Sequence, residues 1–418
     1  MVLTEVFVLA VLLNIAIRLT LATRQIRHVA KHRAQVPAEF SQQLTLEEHQ
    51  KAADYSIART RLGMINLWVE IALLLGFTLF GGLNLLNNWA QSVLPGLWAG
   101  VLLFAAYGLI GSVIDLPLSY YRQFVLETRF GFNRMTPGLF FADWAKGLVL
   151  GAALGGPLLL AVLALMQAAG DHWWLWAWAL WFGFSLLMMW VFPTFIAPLF
   201  NKFTPMPENA TRERIVSLLR RCGFDSDGLF VMDGSKRSSH GNAYFSGMGK
   251  AKRIVFFDTL LNRLDDNQIE AVLAHELGHF RKKHVTKHLA FSGVASLVLF
   301  ALLGQLIHAA WFYTELGVSP NLQGNNQAVA LLLFALVLPY FTFPFRPLMS
   351  WLSRKHEFEA DAFAAGHSKP EYLITALVKL YRDNASTLTP DPVHSAFYDS
   401  HPPASIRIAH LKQLQGAH

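Results

Sequence analysis

The residues Ala274-His275-Glu276-Leu277-Gly278-His279 combine two imidazoles and a carboxylate at a spacing suited to metal-assisted hydrolysis. Around them, Ile269, Val272, Leu273 and Leu277 recur at helical intervals, so His275 and His279, four apart, project from one face of one helix. Two imidazoles so placed fit a single zinc ion. Glu276, one residue round from the first ligand, can hold a water on the metal and accept its proton. The single cysteine, Cys222, excludes a multi-cysteine zinc site, so the remaining ligand must be a histidine or a carboxylate. Cys222 itself, in Arg-Arg-Cys-Gly, reads as a small residue at a helix end.

A catalytic zinc takes three protein ligands and leaves one position open. A third histidine six residues beyond His279 is excluded, because position 285 is Val285. Downstream carboxylates on the appropriate side of the chain are Glu357, Glu359 and Glu371; Glu315 falls in a connection on the opposite side. The segment from Ser353 to Phe363 is helical in character. In it Glu357 and Asp361 share a face while Glu359 points elsewhere. Glu357 can bind the metal and Asp361 can orient a ligand or the water. The same pair at the same spacing is also what a solvated helix face offers.

The elements that must position these groups lie in a membrane. Of 418 residues, 53% are hydrophobic and only 15% charged, and the mean hydropathy is +0.34. Seven stretches are long enough to cross it, near residues 3–23, 64–86, 94–117, 147–168, 173–194, 289–312 and 327–349. The first has no basic leader and no cleavage site, so it reads as a retained helix. The connections near 87–93, 169–172 and 313–326 contain no Lys or Arg. Apart from Arg18, within the first span, every basic residue lies on the other side, which places the N-terminus outside and the zinc motif on the cytoplasmic side. That partition, with no nucleic-acid motif, explains the net charge of +7 by membrane lipids and argues against nucleic acid.

Between the fifth and sixth spans, Gly228–Met232 and Arg253–Phe257 read as strands flanking a turn and a hairpin strand at Asn242-Ala243-Tyr244. A strand edge beside a zinc helix can pair with an extended peptide. His284 and His288 read as helix-surface residues near the headgroups, and residues 30–55 as a soluble helical hairpin. The chain divides into a membrane domain over 1–200 and a peptidase domain over 201–418 that includes the last two spans.

The two motifs, His275-Glu-Leu-Gly-His279 and Ser353-Arg-Lys-His-Glu357-Phe-Glu-Ala-Asp361, resemble those of the M48 metallopeptidases of the Ste24, or CAAX prenyl protease 1, type. Four further segments are similar to that family: Glu127 to Thr136, Pro193 to Pro205, Asn242 to Gly247, and Ser400-His401-Pro402-Pro403 through Arg407. The resemblance implies zinc held by His275, His279 and Glu357, water activation by Glu276, and proton donation by Asp361. It also implies His401 at the oxyanion, Arg407 near the substrate, and Asn242 and Ala243 as the substrate-binding edge. The implied fold is an all-α polytopic membrane protein, a seven-helix barrel around a chamber, with a small α+β gluzincin-like catalytic part at the cytoplasmic end. The implied substrate is a peptide or protein, prenylated at a C-terminal cysteine for CAAX processing, or a membrane protein under quality control. The membrane would be the bacterial inner membrane, or the endoplasmic reticulum or inner nuclear membrane in a eukaryote. The alternative is a multi-span transporter or scaffold with a structural zinc; Glu276 and the absence of intramembrane charge pairs beyond Arg18 weigh against it.

Overall fold

The structure is a computed structural model that describes residues 2–224, 228–246, 253–320 and 326–415. Its helices long and apolar enough to cross a membrane are Val2–His32, Leu46–Phe77, Gly96–Arg129, Pro137–Ala168, Gly170–Leu199, His284–Leu306 and Gln327–Ala365, here spans 1 to 7. All seven expected stretches are present, and most run well beyond the ~20 residues that a bilayer core requires. Charged residues end the apolar window without ending the helix, so the excess length extends past one membrane surface. The expected hairpin over 30–55 is formed by these extensions of spans 1 and 2, tied by Arg33 to Asp54 at 2.7 and 2.8 Å.

Two spans stop short of their expected ends. Span 6 ends at Leu306 instead of residue 312, and Ala310–Thr314 is a separate short helix. Span 2 stops at Phe77 instead of continuing to residue 86, and Gly82–Val93 forms a separate amphipathic helix. Hydropathy does not register this break, because leucines continue through it. What makes it is Gly81 at φ 77°, followed by Gly82, where a Cβ would stand 2.5 Å from the Gly76 carbonyl oxygen.

The spans form a closed ring in the order 2, 1, 7, 6, 5, 4, 3, with the Gly82–Val93 helix joining 3 back to 2 and span 7 also reaching across to spans 3 and 4. In spans 3, 4 and 5 the buried residues of the membrane segment cluster near one end. Span 3 buries Ala99, Gly100 and Leu103 and nothing more up to Tyr121; span 5 buries Trp173 and Ala177 and nothing more up to Val191; Pro137–Leu150 of span 4 buries nothing. A helix in a solid bundle buries a stripe along its whole length. These helices all meet around an apolar plug that includes Phe7, Leu83, Leu163 and Leu333; below it contacts are confined to neighbouring spans, as from Trp144 to Ser112 at 2.8 Å and from Trp178 to the Gly293 carbonyl at 3.0 Å, and the barrel is hollow. Arg18, the one intramembrane charge the sequence sets apart, finds a partner in the wall: its Nη1 lies 2.8 Å from Glu70 Oε2, and Asn66 donates to the other Glu70 oxygen at 2.6 Å. The partners sit on adjacent spans, a juxtaposition that appears only once the ring closes.

The other end is capped by a second core, under a four-stranded sheet of order β1-β2-β4-β3. β2 (Gly228–Met232) and β4 (Arg253–Phe257) match the expected strands and pair in parallel. β3 (Ala243–Ser246) runs antiparallel to β4, and a short strand not expected from sequence, β1 (Phe203–Pro205), completes the sheet. Gly247, the last residue of the Asn242 to Gly247 segment, lies outside the described residues. Asp266–Arg281 carries the HExxH sequence; an Asp265–Gln268 capping box starts it and Lys283 at φ 57° turns it into span 6. Span 7 passes through a tight turn at Phe343–Phe345 into Arg346–Ala365, so Glu357 and Asp361 are carried on the inner extension of a membrane helix.

Candidate active site

The HExxH helix and the inner part of span 7 pack closely, and Gly278 permits the approach. A Cβ there would lie 2.9 Å from Ala360 Cα and 3.0 Å from its carbonyl oxygen. At this separation one donor atom from each of His275, His279 and Glu357 falls within 4.8 Å of the others. His279 Nε2 is 3.2 Å from Glu357 Oε1, and His275 Nε2 is 3.5 Å from Glu357 Oε2. The side chains fit a metal ion. Both imidazoles converge through Nε2, and Glu357 Oε2 is buried with no hydrogen-bond partner among the described residues.

Each imidazole is held from behind. The His275 Nδ1–H donates to Asp361 Oδ1 at 2.8 Å, which leaves Nε2 for a metal. Asp361 is fully buried, and Arg407 clasps both its oxygens, Nε at 2.9 Å and Nη2 at 2.5 Å. His279 Nδ1 is 3.0 Å from His284 Nδ1, and His284 Nε2 donates to Glu359 at 3.0 Å. His284 is therefore buried against the site and not on the headgroup surface, because the left-handed turn at Lys283 folds it back towards His279. Glu359, which does point away from the metal group, supports it through His284. Burial alone would lower the His275 pKa, but the hydrogen bond to Asp361 and the nearby Glu357 carboxylate outweigh this and push it up to about 9. Burial raises the Glu276 carboxyl above its usual value, tuning it towards proton exchange.

A cavity of about 300 Å³ opens onto this group, bounded by Asn242, Ala243, Glu276, Tyr381, His401 and Arg407. Leu373, Leu377 and Leu380 form an apolar wall that the sequence presents only as a helix core face. The Asn242 carbonyl accepts the Phe257 N–H at 3.0 Å, so ladder alternation turns the backbone of Ala243 away from β4, to the free edge. His401 stands over the cavity with Nε2 3.4 Å from Glu357 Oε1, and the protein around it lowers its pKa more than that carboxylate raises it. Both Asp361 oxygens are engaged, by His275 and by Arg407, and neither borders the cavity. Arg407 borders the cavity, but its guanidinium is spent on Asp361 and Glu357, 3.5 Å away. Tyr381, Asn384 and His284 join the site with no sequence signal to mark them.

A hollow helical barrel closed at one end by a metal-ready histidine and carboxylate cluster defines the class of integral-membrane metalloproteases. Residues 25–202 match the profile described as CAAX prenyl protease N-terminal, five membrane helices, and residues 205–415 match peptidase family M48. Among curated relatives, CAAX prenyl protease 1 of Saccharomyces cerevisiae is 38% identical over 72% of this chain and 69% of its own length. The human CAAX prenyl protease 1 homolog is 30% identical over 94% and 92%. The crystal structure of Ste24p from S. mikatae superposes with a TM-score of 0.90 at 31% identity, covering 98% of both chains. The chain belongs to peptidase family M48 and is a multi-pass membrane protease of a family that implies a metal.

Proposed function

We propose that this chain is a zinc metalloendopeptidase that cuts near the C-terminus of proteins bearing a prenylated cysteine, with its site on the cytoplasmic side. The observation that carries the reading is the convergence of Glu276, His275 of the three-ligand cluster and the free edge of β3 on one cavity. His275, His279 and Glu357 hold the zinc. When bound there, zinc would supply Lewis acidity to the scissile carbonyl and to an attacking water. Glu276 accepts the proton from that water and returns it to the leaving amine. His401 donates to the developing oxyanion. Ala243 offers its outward N–H and C=O to the substrate backbone, and the Asn242 side chain, accepting the Ala243 N–H at 2.8 Å, yields that donor as the peptide docks. Asp361 fixes the tautomer of His275, and Arg407 holds Asp361 charged.

The C-terminal CAAX substrate is favoured by the names of the relatives, and the leucine wall suits the apolar residues such a sequence carries. The segregation of basic residues supports the orientation, with the N-terminus outside and a membrane domain over 1–200 leading to the peptidase domain over 201–418. The test is cleavage of a quenched, farnesylated CAAX peptide by detergent-purified protein. Chelation should abolish turnover and zinc should restore it; turnover indifferent to chelation overturns the reading.

A further inference from the structure

We propose that His240 is a positioning residue that sets the substrate-binding edge by tying the turn before β3 to the membrane half of the chain. This rests on reading β3 as the substrate edge. His240 precedes Asn242 by two residues and is the meeting point of three parts of the molecule. From the end of span 3 and the connection after it, Glu127 Oε2 lies 3.6 Å from His240 Nε2, and Phe132 stacks on the imidazole at 4.3 Å and 25°. From span 2, the Tyr55 hydroxyl donates to the other Glu127 oxygen at 2.6 Å, with its ring 5.0 Å from those of Phe130 and Phe132. From the C-terminal part, Asn384 Oδ1 is 3.3 Å from His240 Nδ1 and also accepts the Gly241 N–H at 3.2 Å.

The backbone follows the same path. Ser239 N–H donates to the Phe132 carbonyl at 3.1 Å and Arg134 N–H to the Arg237 carbonyl at 3.2 Å, while the Arg237 guanidinium pairs with Asp143 of span 4 at 2.8 Å. On the catalytic side, the turn is held through its backbone, the Asn242 carbonyl accepting from Phe257 N–H and the His240 carbonyl from the Thr259 hydroxyl at 2.9 Å; the His240 side chain adds the tie to the membrane half. Asn384 also borders the same cavity as Glu276 and His401, so a displacement at His240 reaches the substrate edge within two residues. Packing alone would be satisfied by an apolar side chain on Phe132. An imidazole with a carboxylate on one nitrogen and an amide on the other fixes direction as well as distance.

The consequence is a split in kinetics. Misplacing an edge that pairs with the peptide weakens substrate binding and leaves the metal, Glu276 and His401 in place. His240→Phe, which retains the stack on Phe132 and removes both polar contacts, should raise KM about tenfold with kcat within about twofold. Zinc content should equal that of the wild type. Glu127→Gln, which keeps an acceptor for Tyr55, should raise KM about threefold, and the double variant should be no worse than His240→Phe alone, since both act through one contact. An unchanged KM with loss only in kcat, yield or thermal stability marks His240 as merely structural and overturns the proposal. Additive KM effects also overturn it. Should His240→Phe not fold, the KM of Glu127→Gln decides alone. A wild-type protein that cleaves no peptide sinks the functional reading itself, a result distinct from any of these.

Discussion

The two ends of the barrel are closed by opposite means. At the end away from the site, called here the outer end, all seven spans meet in a plug of aliphatic and aromatic side chains, held by dispersion and shape. At the inner end an apolar core lies under the sheet, but the surface it presents to the hollow is a chain of charges: Arg407 on Asp361, Asp361 on His275, and His275 and His279 on Glu357. A plug needs only volume, and its members can be exchanged for others of similar size. A charge chain buried in protein needs every partner, because removing one strands another without water. The outer end is therefore expected to govern stability and the inner end chemistry.

The sharpest break in that contrast is Glu357→Ala. It removes one of three ligands and leaves Arg407 with less to face, so bound zinc should vanish and turnover fall at least about a thousandfold. Metal analysis checks it; zinc retained in this variant but lost in Glu359→Ala would reverse the ligand assignment. Gly278→Ala should come next. Its Cβ meets the Ala360 backbone and forces the two ligand-bearing helices apart, costing about 1–3 kcal/mol in packing and about ten- to a hundredfold in zinc affinity. Unaltered zinc affinity would mean that the helix spacing does not set the site.

A third effect follows from protons. In the metal-free protein His275 titrates at about 9, raised above its unfolded value, so zinc must displace a proton at neutral pH. Zinc affinity should therefore grow about tenfold per pH unit through the neutral range and level off above the folded pKa. Calorimetry in buffers of different ionisation enthalpy reads the released proton, and an affinity flat with pH would contradict the network. The smallest effect on chemistry is expected at the other end. Leu333→Ala in the plug should lower thermal stability by about 2–5 kcal/mol while zinc content, KM and kcat stay within about twofold.

Much of the inner end is legible in the sequence because helical spacing carries it. The periodicity around His275 and His279 and the four-residue step from Glu357 to Asp361 each state which side chains share a face, and topology alone separates Glu357 from Glu315. What spacing cannot express is a single residue that reverses direction. Lys283 does so, and His284 passes from an apparent surface position to the back of His279. Contacts between distant segments are equally silent: Arg18 finds Glu70, Arg407 finds Asp361, and His240 finds Glu127 only after the ring has closed. The hollow is illegible for another reason. A helix lined by lipid on one side and a chamber on the other is apolar in the same proportions as one packed in a bundle.

The central claim is that Glu276 is the base of a metal-dependent peptidase and not a bystander beside a structural zinc. Glu276→Gln keeps the shape of the side chain and touches no ligand. Measured together on one preparation, zinc content should match that of the wild type while cleavage of the farnesylated peptide falls at least about a thousandfold. Wild-type cleavage by a zinc-loaded Glu276→Gln protein would contradict the account.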